Sequence, residues 1–518
     1  MRVIVLHVSF QVDFNAEKYI MAAAVNNTVH AREVTEALNE VKFSGFHLRA
    51  IITAGMGFFT SAYDLAIIGT AVGLANETWK AGPAEVGLIA SSSLFATFIG
   101  AILFGTLADR IGRKSVYGLE AILMTIGALG SAFSFGVWQL ILWRVVMGLG
   151  IGGDYPLSAV IMSEYANRKD RGKMVGMVFS CQALGFLAGP IVILTLLAAG
   201  VNHDIAWRIA LGLGALPAAG VILLRRALPE SPRWQARAKG QSMKASADLA
   251  NYTDGVARSG GSATPVVREP LRKYALTLLG TAGCWFVFDY AYYGNTIGMP
   301  AIINSVAPHA SMITTVAWNV IIFGLFAVPG YVCAFMFSDR LGRKFIQMMG
   351  FALMTLMFLV LGLVPALAHN AAAFITVFGL SYFFSEFGPN VTTFVLAAEL
   401  FPVNLRTTGH GISAGVAKLG AFLGVLFLNG ILAKLGFGGG MLLSAGMSVI
   451  GLLLTAVCID EPAGKSLEEA GQESFSISSP LPVATILTNS APSFANASVG
   501  KLREPAATPT ADDVFAGV

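Results

Sequence analysis

The chain has 518 residues, of which 12% are Asp, Glu, Lys or Arg and 55% belong to the apolar set AVILMFWYC, with a mean hydropathy of +0.68. A water-soluble domain covers its surface with about 25% charged residues, so a soluble enzyme, a nucleic-acid binder and a disulfide-built scaffold are all disfavoured, and part of the solvent must be lipid. The formal net charge of +4 says little about partners; the placement of the charges says more.

Residues 1–46 read as an N-terminal cytoplasmic segment, with a short apolar opening from Val3 to Phe10 and no convincing signal-peptide cleavage site. From residue 47 the chain becomes a succession of apolar runs, with cores near 50–75, 85–107, 116–135, 138–162, 174–199, 206–224, 274–303, 313–337, 346–367, 372–397, 408–433 and 438–458. Crossing about 30 Å of hydrocarbon takes about 20 apolar residues per helix, so the expectation is an all-α membrane protein with twelve transmembrane helices. The longest polar stretch between runs divides them six and six, giving one half at 47–225, a central loop at 226–272 and a second half at 273–460. Residues 461–518 are rich in Ser, Ala and Pro, lack periodicity and read as a disordered tail.

Basic residues collect on alternate loops. Arg110, Arg113, Lys114, Arg168, Lys169, Arg171, Lys173, Arg340, Arg343, Lys344 and Arg406 share one side with the arginines of the central loop. The positive-inside rule makes that side cytoplasmic, together with both termini, in a multi-pass protein of a cell membrane, plasma or inner. The four cysteines stand far apart in apolar runs, so neither a disulfide nor a metal site is expected from them.

The two halves repeat one another. Asp109-Arg-Ile-Gly-Arg-Lys114 recurs as Asp339-Arg-Leu-Gly-Arg-Lys344 at an offset of 230 residues, and Glu164 with Arg171 recurs as Glu399 with Arg406 at an offset of 235. Parallel halves point to a binding site at their interface near the bilayer midplane. The paired loops, with Arg144-x-x-x-Gly148-x-Gly150 and Pro229-Glu-Ser-Pro-Arg-Trp234, resemble the major facilitator superfamily over roughly residues 45–460. Within it, Gly152-Gly-Asp-Tyr-Pro-Leu-Ser158 with Ser163-Glu164 resembles the signature of the phosphate:proton symporter family. The resemblance implies two pseudo-symmetric six-helix halves and a monomeric secondary transporter, not an enzyme. It would import inorganic phosphate with protons by alternating access, without cofactor or metal.

A charge inside hydrocarbon costs at least a few kcal/mol, so each one within a run needs a reason. Asp64 and Asp154 face the central cavity in the fold that the chain resembles, and match proposed proton sites there; the alternative is an ion pair with Arg144 that joins helices. Trp285, Asp289 and Tyr293 recur at i, i+4 and i+8 and share one helix face. The resemblance matches them to substrate positions, whereas packing is the ordinary use of such an aromatic stripe. Asn390 follows Gly388-Pro389, where the helix ladder should break, as tolerated beside a cavity. Lys418 sits about ten residues past a loop, too deep for its ammonium to reach the surface comfortably.

Lys418, Asn390, Gln182, Tyr155 and Tyr293 together suit an oxyanion, and Asp289 suits its P–OH while repelling unprotonated sulfate. Glu386 departs from the polar neutral residue that the eukaryotic phosphate symporters tend to carry there, marking a prokaryotic branch, a further proton site or a changed substrate. Gly148, Gly150 and Gly152 read as close helix packing rather than a nucleotide loop. Gating is expected from Asp109, Arg110, Arg113, Asp339, Arg340 and Arg343, latched by Glu164 with Arg171 and Glu399 with Arg406. Two rival readings stay open: a proton symporter for a sugar or organic anion, and a membrane nutrient sensor that binds without transporting.

Overall fold

Where no water reaches the backbone, each N–H and C=O must be satisfied within its own segment, and long helices are the outcome. A computed structural model describes residues 33–253, 259 and 265–474, all inside one compact unit. The apolar opening at 3–10 and the chain beyond 474 lie outside the described residues. In chain order the long segments are Gly45–Trp79, Pro83–Ile111, Arg113–Ala132, Val137–Tyr165, Arg171–Ala198, His203–Ala227, Ala275–Ile297, Met312–Leu341, Arg343–Leu363, Ala371–Glu399 and Arg406–Cys458. All but Ala275–Ile297 are long and apolar enough to cross a membrane. That exception carries Asp289 and three tyrosines.

The last segment is 53 residues long and is interrupted at Gly436, whose φ of 67° and ψ of −179° no helix contains. Positive φ costs glycine nothing, so the chain turns there and the segment counts as two. Among the described residues twelve long helices result, in two pseudo-symmetric sets of six. They are numbered below first to twelfth in chain order, with the eleventh and twelfth meeting at Gly436.

Small residues decide which helices touch. A Cβ on Gly148 would sit 2.2 Å from the Ser93 carbonyl and one on Gly152 2.4 Å from that of Thr97, so the fourth helix lies against the second at backbone distance. The eleventh helix does the same to the seventh. A Cβ on Gly420 would fall 2.3 Å from the Phe286 carbonyl, and one on Gly424 2.2 Å from that of Tyr290. This contact sets Lys418 beside Asp289.

Two further findings concern the polar segments. The connection between the sixth and seventh helices holds two short helices, Pro232–Arg237 and Ser242–Tyr252. Residues 461–474, expected to be disordered, are instead packed: Leu467–Ala470 is a helical turn capped by Ser466, and Leu467 is fully buried. Glu468 and Glu473 are the reason, because each is paired with arginines of the body. Composition alone hides such pairs.

Candidate functional site

Five of the residues singled out from sequence meet in one place. Lys418 Nζ lies 2.7 Å from Asp289 Oδ2 and 4.2 Å from the Tyr293 ring centre, 4.6 Å from that of Tyr155 and 6.0 Å from that of Trp285. The Tyr155 and Tyr293 hydroxyls are 3.4 Å apart. Tyr155 comes from the fourth helix and the others from the seventh and eleventh, so the cluster joins the two halves. None of the five is more than 1% exposed. A buried ammonium among aromatic faces gains cation–π attraction as well as its carboxylate, and Lys418 therefore does not reach for the surface.

Gln182 and Asn390 make no hydrogen bond to this cluster among the described residues. Gln182 is buried and its amide nitrogen has no partner. Asn390 lies just after the expected break, where Gly388 has φ of −105° and ψ of −117° and residues 386–390 form a widened turn. Its Nδ2 donates to the Glu386 carboxylate and, at 2.9 Å, to the Tyr331 hydroxyl.

The two aspartates of the first half have separate partners. Asp64 pairs with Arg144, whose Nη2 also donates to Ser93 Oγ at 3.0 Å. Asp154 does not share Arg144. Arg225 of the sixth helix reaches it at 2.7 Å and reaches Glu120 of the third helix at 2.7 Å, with all three side chains fully buried. Ser158 Oγ donates to Asp154 at 2.7 Å and lies 2.9 Å from the Tyr117 hydroxyl. Two carboxylates thus share one guanidinium.

The arginine-rich end carries a second network with the same two-fold repetition. Glu164 accepts from Arg113 at 3.0 Å and from Arg406 at 3.0 Å, and Glu399 from Arg171 at 3.3 Å and from Arg343 at 3.1 Å. The latch pairs expected within each half are therefore exchanged: Glu164 goes with Arg406, and Glu399 with Arg171. Each helix bearing one of these glutamates ends where the arginine-headed helix of the other half begins, which brings the exchanged partners together.

The aspartates of the repeated loops cross in the same way. Asp109 accepts from the Thr407 hydroxyl and from Thr408 N at 2.7 Å, at the start of the eleventh helix. Asp339 accepts from Gly172 N at 3.0 Å and Lys173 N at 2.7 Å, at the start of the fifth. A carboxylate there meets unsatisfied N–H groups and the positive end of the helix dipole. Arg110 and Arg340 are exposed and form no ion pair among the described residues, so they stand outside the network.

Several members of these networks escaped the sequence reading. Arg225, the last residue of the first half, is not singled out by the sequence, and nothing local says which carboxylate a buried arginine will meet. Glu230 accepts from Arg113 N and Lys114 N, and Glu461 from Arg343 N and Lys344 N. Their separation of 231 residues falls inside the repeat, so the offset was a usable signal. Glu468 pairs with Arg233 and lies 3.7 Å from Arg237, while Glu473 accepts from Arg406 at 3.0 Å. Burial alone would push the Glu468 carboxyl up, but Arg233 and Arg237 outweigh it and hold the group at about 2. At Glu473 burial prevails over Arg406 and Arg237, and the carboxyl sits above its ordinary value.

Two six-helix sets with a sealed polar cluster between them define a transporter of the major facilitator class. Solved structures agree on the fold: the proton:xylose symporter XylE superposes with a TM-score of 0.70 at 20% identity, over 82% of this chain and 98% of that one. The human organic anion transporter MFSD10 gives 0.59 at 17%, over 79% and 99%. A family model described as "Sugar (and other) transporter" matches residues 50–473, and the chain belongs to that family. It is 35% identical to the probable inorganic phosphate transporter 1-6 of Arabidopsis thaliana, over 85% of this chain and 96% of that protein. It is 36% identical to the putative inorganic phosphate transporter 1-13 of Oryza sativa subsp. japonica, over 84% and 93%.

Proposed function

We propose that this protein imports inorganic phosphate together with protons by alternating access. The observation that carries the reading is the sealed Lys418–Asp289 pair beneath two phenols and an indole, in a chain similar along most of its length to proteins named inorganic phosphate transporters. In this state Asp289 neutralises Lys418. An incoming phosphate offers the ammonium a second anion and offers Asp289 a P–OH proton to accept, so it exchanges one ion pair for a larger hydrogen-bonded set. Gln182, with a buried amide nitrogen lacking a partner, and Asn390 are the neutral donors that would close around it. Sulfate at neutral pH brings no proton and meets Asp289 as a like charge.

Asp64 and Asp154 are the proposed proton sites. For Asp154 the support is a charge count: with Glu120 and Asp154 both ionised around Arg225, the fully buried triad would carry a net negative charge, and one proton removes it. Asp64 matches Arg144 one to one, so its proton enters only after that pair separates. Each charge moved across 100 mV involves about 2.3 kcal/mol, so an anion carried inward against the potential needs more than one proton, and two sites meet that need. The arginine-rich end is read as the cytoplasmic face, closed here by Asp109, Arg113, Glu164, Arg171, Asp339, Arg343, Glu399 and Arg406. The protein is read as a monomer in a cell membrane, with its apolar helix faces against lipid.

Purified protein in liposomes with an inward proton gradient tests the reading against phosphate, sulfate, glucose and organic acids. Phosphate is expected to accumulate. Accumulation of glucose or an organic acid alone would replace the substrate, and binding without accumulation would make the protein a sensor.

A further inference from the structure

Eight of the nine carboxylates buried among the described residues pair with an arginine or a lysine; Glu386 does not. It is fully buried at the break in the tenth helix, 0% exposed. The Asn390 amide donates to it, and the hydroxyls of Tyr292 from the seventh helix and Tyr331 from the eighth face it. Tyr382 of the tenth helix and Asp289 of the seventh are the other titratable groups near it. From the ninth helix, Gly350 packs against Gly388 so closely that a Cβ on Gly350 would stand 2.5 Å from the Gly388 Cα.

An ionised carboxylate without a counter-charge in a dry interior costs many kcal/mol, and such a group is held neutral by a proton. Glu386 has Asp289 in its neighbourhood and no cation of its own, so the sealed state holds it as the acid. Its distance from the central cluster is one aromatic ring: the Tyr292 and Tyr293 ring centres are 5.2 Å apart, and Tyr293 lies under Lys418. The link is Asn390. Its amide nitrogen has two hydrogens, and both are engaged, by Glu386 and by Tyr331. An ionised carboxylate accepts a hydrogen bond more strongly than a protonated one, so loss of the proton ties Asn390 down and its gain loosens it.

We propose that Glu386 is a third proton site of the transport cycle, loaded together with the substrate because Asn390 serves both. The inference deepens the phosphate-symport reading and rests on it. When the site opens to water, the Glu386 oxygen takes a proton from the medium on that side. Asn390 then turns one N–H to the incoming oxyanion. When the site opens on the opposite side, the O–H bond breaks into water there and Asn390 returns to the carboxylate. Glu386 is a positioning residue, since it acts on the substrate through Asn390.

The test is phosphate binding by the purified full chain, followed by calorimetry in buffers of different ionisation enthalpy, which counts the protons taken up. One linked proton changes affinity by up to about tenfold per pH unit. Acidification should therefore tighten binding in the parent. Glu386→Gln, fixed as neutral, should bind with one proton fewer and lose about tenfold per pH unit of that dependence. Glu386→Asp should restore the proton. An unchanged proton count and pH profile in Glu386→Gln would overturn the proposal. Should Glu386→Gln not fold, Tyr331→Phe carries the test: it frees one Asn390 hydrogen and should move the midpoint of the pH profile, and an unmoved midpoint counts against the link. A parent that binds no phosphate at any pH would instead remove the phosphate reading on which the proposal stands.

Discussion

Away from the arginine-rich end, the two halves use different cations for their buried carboxylates. In the first, Asp64 faces Arg144, and Glu120 and Asp154 share Arg225; in the second, Asp289 faces Lys418 and Glu386 faces no cation. Arginine keeps its charge at any pH a protein meets and grips a carboxylate with a planar fork, whereas lysine is a point charge on a flexible stem. The first half thus resembles a locked frame, and on the proposed function a proton exchanges there only when a guanidinium moves. The second half presents an ammonium that an external anion can compete for. The repeat that made both halves from one plan left the gating ends alike and the centres different.

The largest effect that would sharpen this contrast is on coupling. Asp154→Asn should abolish pH-driven accumulation while exchange of labelled phosphate across the membrane continues, because an amide carries no proton. Asp64→Asn should do the same if Arg144 releases Asp64 in the opposite state. Accumulation at the parental rate in Asp64→Asn would reduce that residue to a partner of Arg144.

In the second half, Lys418→Gln should weaken phosphate binding by about 30-fold or more, as expected when one partner of a buried charged contact is removed at a cost of about 2–5 kcal/mol. Asp289→Asn should lower phosphate binding less and let sulfate compete better than in the parent. Competition binding at several pH values measures both, and parental affinity in Lys418→Gln would break the comparison by favouring a neutral substrate.

The ends, where the halves agree, should respond alike. Glu399→Gln removes the carboxylate shared by Arg171 and Arg343, and Glu164→Gln the one shared by Arg113 and Arg406. Each should shift the population toward opening at that end by roughly tenfold, the scale of one lost ionic hydrogen bond of about 1.5 kcal/mol. Labelling of single cysteines from each side reads the shift, and a response to only one of the two variants would break the symmetry.

The smallest effect concerns the strap at 461–474. Glu468 is held below the ordinary carboxyl value, so its contribution to stability is complete above that ordinary value and drains away as pH falls toward about 2. Glu468→Gln should flatten the acid side of the stability profile and lower the melting temperature by less than the about 2–4 °C per kcal/mol that holds for domains of about 150–250 residues. An unchanged acid limb would show that Arg233 and Arg237 find other partners.

Much of this was legible in one dimension. Twelve runs, the placement of the arginines and the D-R-x-G-R-K repeat each reflect a local rule: length for spanning, charge for orientation, similarity for pseudo-symmetry. Lys418, Asp289 and Asp154 stood out because any charge in an apolar run demands an explanation. Tyr155 stood out by its place in the Gly152–Ser158 motif, and Tyr293 by sharing a helix face with Asp289.

What only the tertiary structure decided is pairing. Arg225 stands at the very end of the first half's last apolar run, and it becomes the common partner of Glu120 and Asp154 only when the third, fourth and sixth helices pack. Glu164 lies seven residues before Arg171 yet bonds Arg406, 242 residues away, because the two halves face one another with their helix ends crossed. Glu386 and Asn390, four residues apart, would meet on any helix, but Tyr331 of the eighth helix joins them only when the helices pack. A residue's type and its distance from the nearest loop determine whether it can be charged in a membrane. Which charge answers it depends on backbone distances between helices, and those are set by glycines and side chains on several helices at once.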